Sequence, residues 1–305
     1  MCRLNVHGRS RSARTSGPSP RGYPSPHVRT NLELWEAQSD AYDRRHRGTL
    51  AGRSARAWGF WRVPEDRLHL LGPTVGKTVL ELGCGAGRWS IALARRGASC
   101  VGLDISTRQL AKARRLGLKG RFRGAWVRAN AERLPLRDRS FDVVFSDWGA
   151  MTFCDPGRTV PEVSRILRAR GRFVFATSSP FRALTQDRRT DRIGRTLLYD
   201  YFGLGRVRYP DEVNFVPTYE GWVRLFRDHG LVVEALLETR APRRRRSSYL
   251  GTKEQRWGRR WPLESIWVLT REATRARPAR TGRLAGVRGP ARTARRSRTA
   301  RKGNL

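Results

Sequence analysis

Residues 81–87 read Glu-Leu-Gly-Cys-Gly-Ala-Gly, and they are the part of the chain best suited to chemistry. Glycines at alternate positions, Gly83, Gly85 and Gly87, let a backbone turn tightly and approach a ligand closely. A helix starting near Arg88 would aim free N–H groups and its positive dipole end at an anion. A dinucleotide loop of the G-x-G-x-x-G kind needs glycine where this chain has Arg88. Glu81, two residues before the first glycine, would repel a pyrophosphate and suits a ligand bearing an amino group. A purely structural turn would use the same glycines. Asp104, 17 residues beyond Gly87, is placed either to accept hydrogen bonds from both hydroxyls of a ribose or to cap a helix. Asn130-Ala131-Glu132-Arg133-Leu134-Pro135 offers a side chain and backbone to the edge of an adenine. A fourth motif runs from Phe141 through Ser146 and Asp147 to Trp148 and Met151.

These motifs need a scaffold that brings them to one edge, and the hydrophobic pattern supplies it. Short apolar runs at 78–82, 98–103, 125–128, 141–145 and 172–177 alternate with helical stretches at 88–96, 106–116 and 159–167, the last with Pro161 in its first turn. Continuous apolar strands separated by helices predict an α/β fold with a mostly parallel sheet covered on both faces. A helix over 220–229 precedes strands at 231–238 and 265–270. No full crossover helix separates those two strands, so they read as an antiparallel pair at the sheet edge. All four motifs then fall at carboxyl ends of parallel strands, where such sheets bind ligands.

The chain has 305 residues, 38% hydrophobic, and a formal charge of +37. Arg outnumbers Lys 58 to 5, a bias that fits genome-wide codon composition or attraction to nucleic acid. Residues 1–30 and 271–305 are Arg-rich and lack an apolar period, and both read as disordered basic tails. The four cysteines, Cys2, Cys84, Cys100 and Cys154, form no CxxC pair, and the histidines form no ligand spacing. A cytoplasmic protein without a metal site is expected. No run approaches the roughly 18 apolar residues of a membrane span, and no secretory signal is expected.

Taken together, ELGCGAGRW, GLDIS, ANAERLPL, SFDVVFSDWGAMTF and EVSRILRARGRFVFAT resemble the successive motifs of class I S-adenosylmethionine-dependent methyltransferases, and most closely the type 11 group. The resemblance covers residues 31–270. It implies a Rossmann-like seven-stranded sheet whose last two strands are antiparallel, and S-adenosyl-L-methionine as cofactor. The methionine part would lie against Glu81, Gly83, Cys84 and Gly85, with Gly87 permitting the turn below. Asp104 would hold the ribose, Ile105 and Gln109 would flank the adenine, Ala131 and Glu132 would border it, and Ser146 would sit beside the sulfonium. Cys84 reads as a small filler rather than a nucleophile. Asp147 would be either a general base or a residue that orients a loop. Trp148 would stack on an acceptor or wall off solvent.

Two segments are expected to shape the acceptor pocket. Within an N-terminal lid over 31–70, Leu34, Trp35, Gln38 and Tyr42 fall near one helix face, and Trp58, Phe60 and Trp61 add aromatic surface. The second is an aromatic-rich insertion over 197–219. With Met151, these aromatics are candidates for pocket or core alike. The slot after the fourth strand reads Ser146-Asp147-Trp148-Gly149, not the Asn/Asp-Pro-Pro-aromatic of amino-methylating nucleic-acid enzymes, and Cys154 does not follow a proline. Both features favour a small-molecule acceptor. A nucleic-acid methyltransferase guided by basic tails, or a regulatory protein that binds the cofactor without turnover, are the alternatives. The oligomeric state is left open.

Overall fold

A computed structural model describes residues 25–46, 48, 50, 56–243 and 247–273. Helix α1 (Pro26–His46) is followed by a small ribbon of β1 (Ala57–Trp58) and β2 (Val63–Pro64), then by α2 (Glu65–Leu68). The central alternation is β3 (Thr78–Leu82), α3 (Arg88–Ala94), β4 (Ser99–Asp104), α4 (Thr107–Gly120), β5 (Ala125–Arg128) and β6 (Phe141–Asp147). Next come α5 (Ala150–Phe153), α6 (Pro156–Ile166), β7 (Leu167–Ser178) and α7 (Pro180–Thr185). A second ribbon, β8 (Arg206–Arg208) with β9 (Val213–Phe215), precedes α8 (Tyr219–Asp228), β10 (Leu231–Glu238), α9 (Thr252–Trp257) and β11 (Glu264–Arg271).

The seven-stranded sheet has the order β10-β11-β7-β6-β3-β4-β5. Strands β3 to β7 pair in parallel, and β11 runs antiparallel to both β7 and β10. The antiparallel pair is therefore present, with only β10 at the edge and β11 inserted between β10 and β7. Alternate residues along each strand feed two cores. Leu80, Leu82, Val144, Phe173, Phe175 and Trp267 pack against Val160 and Val163 of α6 and Trp222 and Phe226 of α8. On the other face, Val79, Val143, Phe145, Val174 and Ile266 pack against Trp58, Trp89 and Leu93.

Local chemistry accounts for the boundaries. Ser106 caps α4 by accepting from Gln109 N at 3.1 Å. Asp155 caps α6, with Pro156 in its first position. That cap starts α6 earlier than the sequence pattern predicts, so Pro161 lies inside the helix and not in its first turn. The expected tail over 1–30 is also corrected, because Pro26–Thr30 belong to α1. His27 explains it: the ring is buried, and its Nε2 lies 2.5 Å from Glu132 Oε1, a long-range pairing with no local sequence signature. The expected tail over 271–305 is corrected at its start, because Arg271 ends β11, while residues 1–24, Cys2 among them, and 274–305 lie outside the described residues. Among the described residues, no helix is long and apolar enough to cross a membrane, and no cluster of His, Cys, Asp and Glu could hold a metal ion.

Candidate functional site

A cavity of about 350 Å³ opens at the carboxyl ends of β3, β4 and β6, beneath α1. The loop after β3 is tied to β4, because Gly83 N and Cys84 N both donate to Leu103 O, at 2.8 and 3.0 Å. Its three glycines all have positive φ, with different neighbours. A Cβ on Gly83 would meet Ala150 N at 2.4 Å, and one on Gly87 would meet the Trp126 ring at 2.1 Å. A Cβ on Gly85 would meet nothing closer than the Gln109 side chain at 3.8 Å. Gly83 and Gly87 thus allow close packing, while Gly85 faces open space.

Two acids face this loop from adjacent strands. Glu81 is buried, and its Oε2 accepts from Ser90 N at 2.9 Å and Ser90 Oγ at 2.5 Å. The first turn of α3 therefore serves the chain's own carboxylate, and not a separate anion. Glu81 Oε1 has no hydrogen-bond partner among the described residues, and Glu81 is one of the residues that line the cavity. Burial pushes the Glu81 carboxyl up to about 8, with the charges of Asp147 and Asp104 adding to the rise and the Ser90 bonds opposing it. Asp104 accepts from Gly85 N on Oδ2 and from Ser106 N on Oδ1, both at 2.8 Å. Burial raises its pKa against those bonds. The helix cap is Ser106, not Asp104, so Asp104 fixes the glycine loop while keeping lone pairs for a ligand.

Asp147, at the end of β6, also lines the cavity. Its Oδ1 accepts from Gly59 N at 2.8 Å; its Oδ2 accepts from Arg62 Nη1 at 3.0 Å and Trp89 Nε1 at 3.3 Å. Burial still pushes its pKa up, opposed first by the Arg62 charge. Trp148 follows with φ of +51°, a left-handed backbone costly for a bulky residue. Its indole N–H donates to Glu264 Oε2 at 2.7 Å, and its ring packs on Phe60 at 4.2 Å.

Helix α1 closes the cavity through Val28, Asn31, Trp35 and Tyr42. Trp35 and Tyr42 do reach it, whereas Leu34 and Gln38 do not line it. Asn31 holds the helix down by donating to Phe153 O and Val213 O and accepting from Val213 N, at 2.8 to 2.9 Å. Arg88 pairs with Asp43 of α1 at 2.7 Å. Ile105, Gln109, Asn130 and Ala131 line the adenine side expected from the sequence.

Several candidate residues stand elsewhere. The Glu132 side chain does not line the cavity. Burial pushes its carboxyl up, but the bonds from His27 and Asp155 N outweigh this and hold it below its ordinary value. Ser146 is wholly buried, donating to Leu82 O at 2.9 Å and accepting from Met151 N. Met151 is a core residue, as are Trp58 and Trp61, and of the lid aromatics Trp58, Phe60 and Trp61 only Phe60 reaches the cavity. None of the aromatics of 197–219 lines it; Glu212 and Asn214 do. Cys84 lines the cavity, and burial pushes its thiol well above the ordinary value, as a filler and not a nucleophile requires.

Sequence reasoning missed Arg62, Arg182 and Glu264. Glu264 is fully buried; it accepts from Phe60 N at 2.8 Å and Thr239 Oγ1 at 2.7 Å besides Trp148. It thereby pins the lid to β11. A Cβ on Gly59 would lie 2.3 Å from its carboxylate, which is why that position is glycine.

A methyltransferase domain model of type 11 matches residues 80–175. A demethylmenaquinone methyltransferase of Clavibacter sepedonicus is 34% identical over 146 residues, 48% of this chain and 57% of that protein. A malonyl-[acyl-carrier protein] O-methyltransferase of Pectobacterium atrosepticum is 34% identical over 132 residues, 43% of this chain and 50% of that protein. The chain spans about half the length of these curated relatives. A solved S-adenosylmethionine dependent methyltransferase of Mesorhizobium loti superposes with a TM-score of 0.56 at 25% identity, covering 67% of this chain and 95% of that one.

Proposed function

We propose that the chain, whose residues 80–175 match a methyltransferase domain of type 11, is a class I S-adenosylmethionine-dependent methyltransferase that moves a methyl group from S-adenosyl-L-methionine to a small-molecule acceptor. The observation that carries this reading is the pair of buried acids, Glu81 and Asp104, facing one cavity on either side of a glycine turn whose middle glycine is open. The unpartnered Glu81 Oε1 fits a cationic amino group, and Asp104 fits a ribose diol. When bound, the cofactor supplies a methyl group on a sulfonium whose leaving group is a neutral thioether.

The residues therefore have mainly to position and to exclude water. Glu81 and Asp104 fix the two ends of the cofactor, while Gly85 leaves room for close approach. Trp35 and Tyr42 of α1, with Phe60 and Trp148, wall the acceptor side from solvent. Asp147, with both oxygens engaged by Gly59, Arg62 and Trp89, holds the lid in place and takes no proton from the acceptor. Residues 31–70 act as lid and 197–219 contributes Glu212 and Asn214 to the acceptor side. A cytoplasmic location belongs to the same proposal.

Titration with S-adenosylmethionine and S-adenosylhomocysteine tests the cofactor part. Asp104→Ala removes a charged hydrogen-bond acceptor worth about 1.5–3 kcal/mol, a loss of roughly 10- to 100-fold in affinity. Unchanged affinity would contradict the assignment. Labelled methyl appearing on a compound in a metabolite extract tests turnover, and its absence with intact cofactor binding would favour a binding protein.

A further inference from the structure

Among the described residues Arg182 is a cavity-wall cation that forms no ion pair, although its charge does act on Glu212. It stands in α7, just beyond the carboxyl end of β7, and Ser179 caps that helix by accepting from Arg182 N at 3.1 Å. The other two arginines of the wall are ion-paired, Arg62 with Asp147 and Arg88 with Asp43. Arg182 forms no ion pair and no side-chain hydrogen bond with any described residue. Its guanidinium lies instead over two aromatic rings, 5.1 Å from the Phe60 centroid and 5.5 Å from that of Trp148.

Those rings are themselves fixed. Glu264 accepts from both Phe60 N and the Trp148 indole, so the platform beneath Arg182 is held by a fully buried carboxylate. A guanidinium held over aromatic rings by cation–π attraction uses none of its N–H groups there, which leaves them available to a planar, bidentate partner. Glu212 also lines the cavity; burial pushes its carboxyl up, opposed by the bond it accepts from Asn214 Nδ2 at 2.8 Å and by the Arg182 charge. One guanidinium beside that acid suits a single negative charge better than the two of a phosphate. The same cavity is also lined by the aromatic side chains of Trp35, Tyr42 and Tyr249.

We propose that this subsite selects an aromatic carboxylic acid as the acceptor, with Arg182 pairing its carboxylate while Phe60 and Trp148 pack along its ring. Arg182 is then a specificity residue for the methyl transfer proposed above, on which this inference rests.

The test uses the full chain saturated with S-adenosylhomocysteine, titrated with 4-hydroxybenzoate and with its methyl ester, read by tryptophan fluorescence. The acid should bind at least about tenfold tighter than the ester, the scale of one charge-assisted pair. Arg182→Met should abolish that preference, Arg182→Lys should retain part of it, and both should leave S-adenosylhomocysteine affinity unchanged, which also establishes that they fold. Equal binding of acid and ester, no binding of the acid, or a preference that survives Arg182→Met overturns the inference. Failure of the wild-type chain to bind S-adenosylhomocysteine at all overturns instead the cofactor reading beneath it.

Discussion

Asp147 Oδ2 lies 3.0 Å from Arg62 Nη1, with the two side chains only 8% and 7% exposed. A pair this buried contributes mainly through what is lost when one partner goes. Asp147→Asn leaves the Arg62 charge buried and should cost about 3–5 kcal/mol of stability in denaturant unfolding. Adding Arg62→Met should recover most of that loss. If Asp147 only positions the lid, the double variant keeps methyl transfer within about tenfold of wild type, with the shape of its pH profile unchanged. Removal of a general base would instead cost roughly 10²–10⁴ and flatten the acid limb.

Glu81 gives a second prediction, with a definite sign. Its folded pKa of about 8 lies above the ordinary carboxyl value of 4.5, so its proton stabilises the free fold fully below about pH 4.5. That contribution declines as pH rises and is lost through about pH 8. A bound ammonium group favours the carboxylate, so cofactor binding near pH 6.5 should release about one proton. Calorimetry in two buffers of different ionisation enthalpy measures it directly. Glu81→Gln should abolish the release, and a wild-type chain that releases no proton would mean that no ammonium meets Glu81.

What the sequence made legible follows from how local each signal is. The β3 run, its glycines and Asp104 are set by a strand-to-helix turn contained within a few dozen residues, and the structure brings Glu81, Gly85 and Asp104 to one cavity as that pattern suggests. Ser146 and Asp147 fall on one motif but on opposite sides of a strand, and parity sends Asp147 to the cavity and Ser146 to Leu82 O. Ala131 and Glu132 also part, but in a turn beyond β5 and not by strand parity: Ala131 lines the cavity, while Glu132 accepts from Asp155 N and pairs with His27. Arg62, Arg182 and Glu264 could not be found from spacing, because each is brought in by a segment distant in sequence. Their signal, had it been sought, was charge in otherwise apolar or aromatic runs: Arg62 after Trp61, and Glu264 opening the strand Ser265–Thr270. Charge is a poor signal in a chain with 63 Lys and Arg.

The buried pair of His27 and Glu132 yields a third prediction. His27→Ala removes the donor 2.5 Å from Glu132 Oε1 and leaves that oxygen with Asp155 N alone at hydrogen-bond distance. The cost should be about 1–3 kcal/mol, concentrated at the start of α1 and not spread over the sheet. Hydrogen exchange should quicken across 26–35 while the amides of β3 and β6 stay protected. Uniform acceleration throughout the sheet would mean that α1 is an integral part of the core and not a lid resting on it.

The three glycines of the loop separate packing from binding. Each has φ between +52° and +70°, so an alanine at any of them bears a left-handed backbone cost of about 1–2 kcal/mol. Gly83→Ala adds a collision with the Ala150 backbone, and Gly87→Ala one with the Trp126 ring, both under 2.5 Å. These two variants should lose well beyond that backbone cost. Gly85→Ala meets only open space, so it should fold with the backbone cost alone. Its methyl would occupy the room left for the cofactor, and affinity for S-adenosylhomocysteine should fall by about tenfold or more, the scale of one misplaced methyl in a fitted pocket. Thermal unfolding and ligand titration on the three variants read the two effects independently. A Gly85→Ala chain that binds as tightly as wild type would place the ligand elsewhere in the cavity, away from the turn that Asp104 holds.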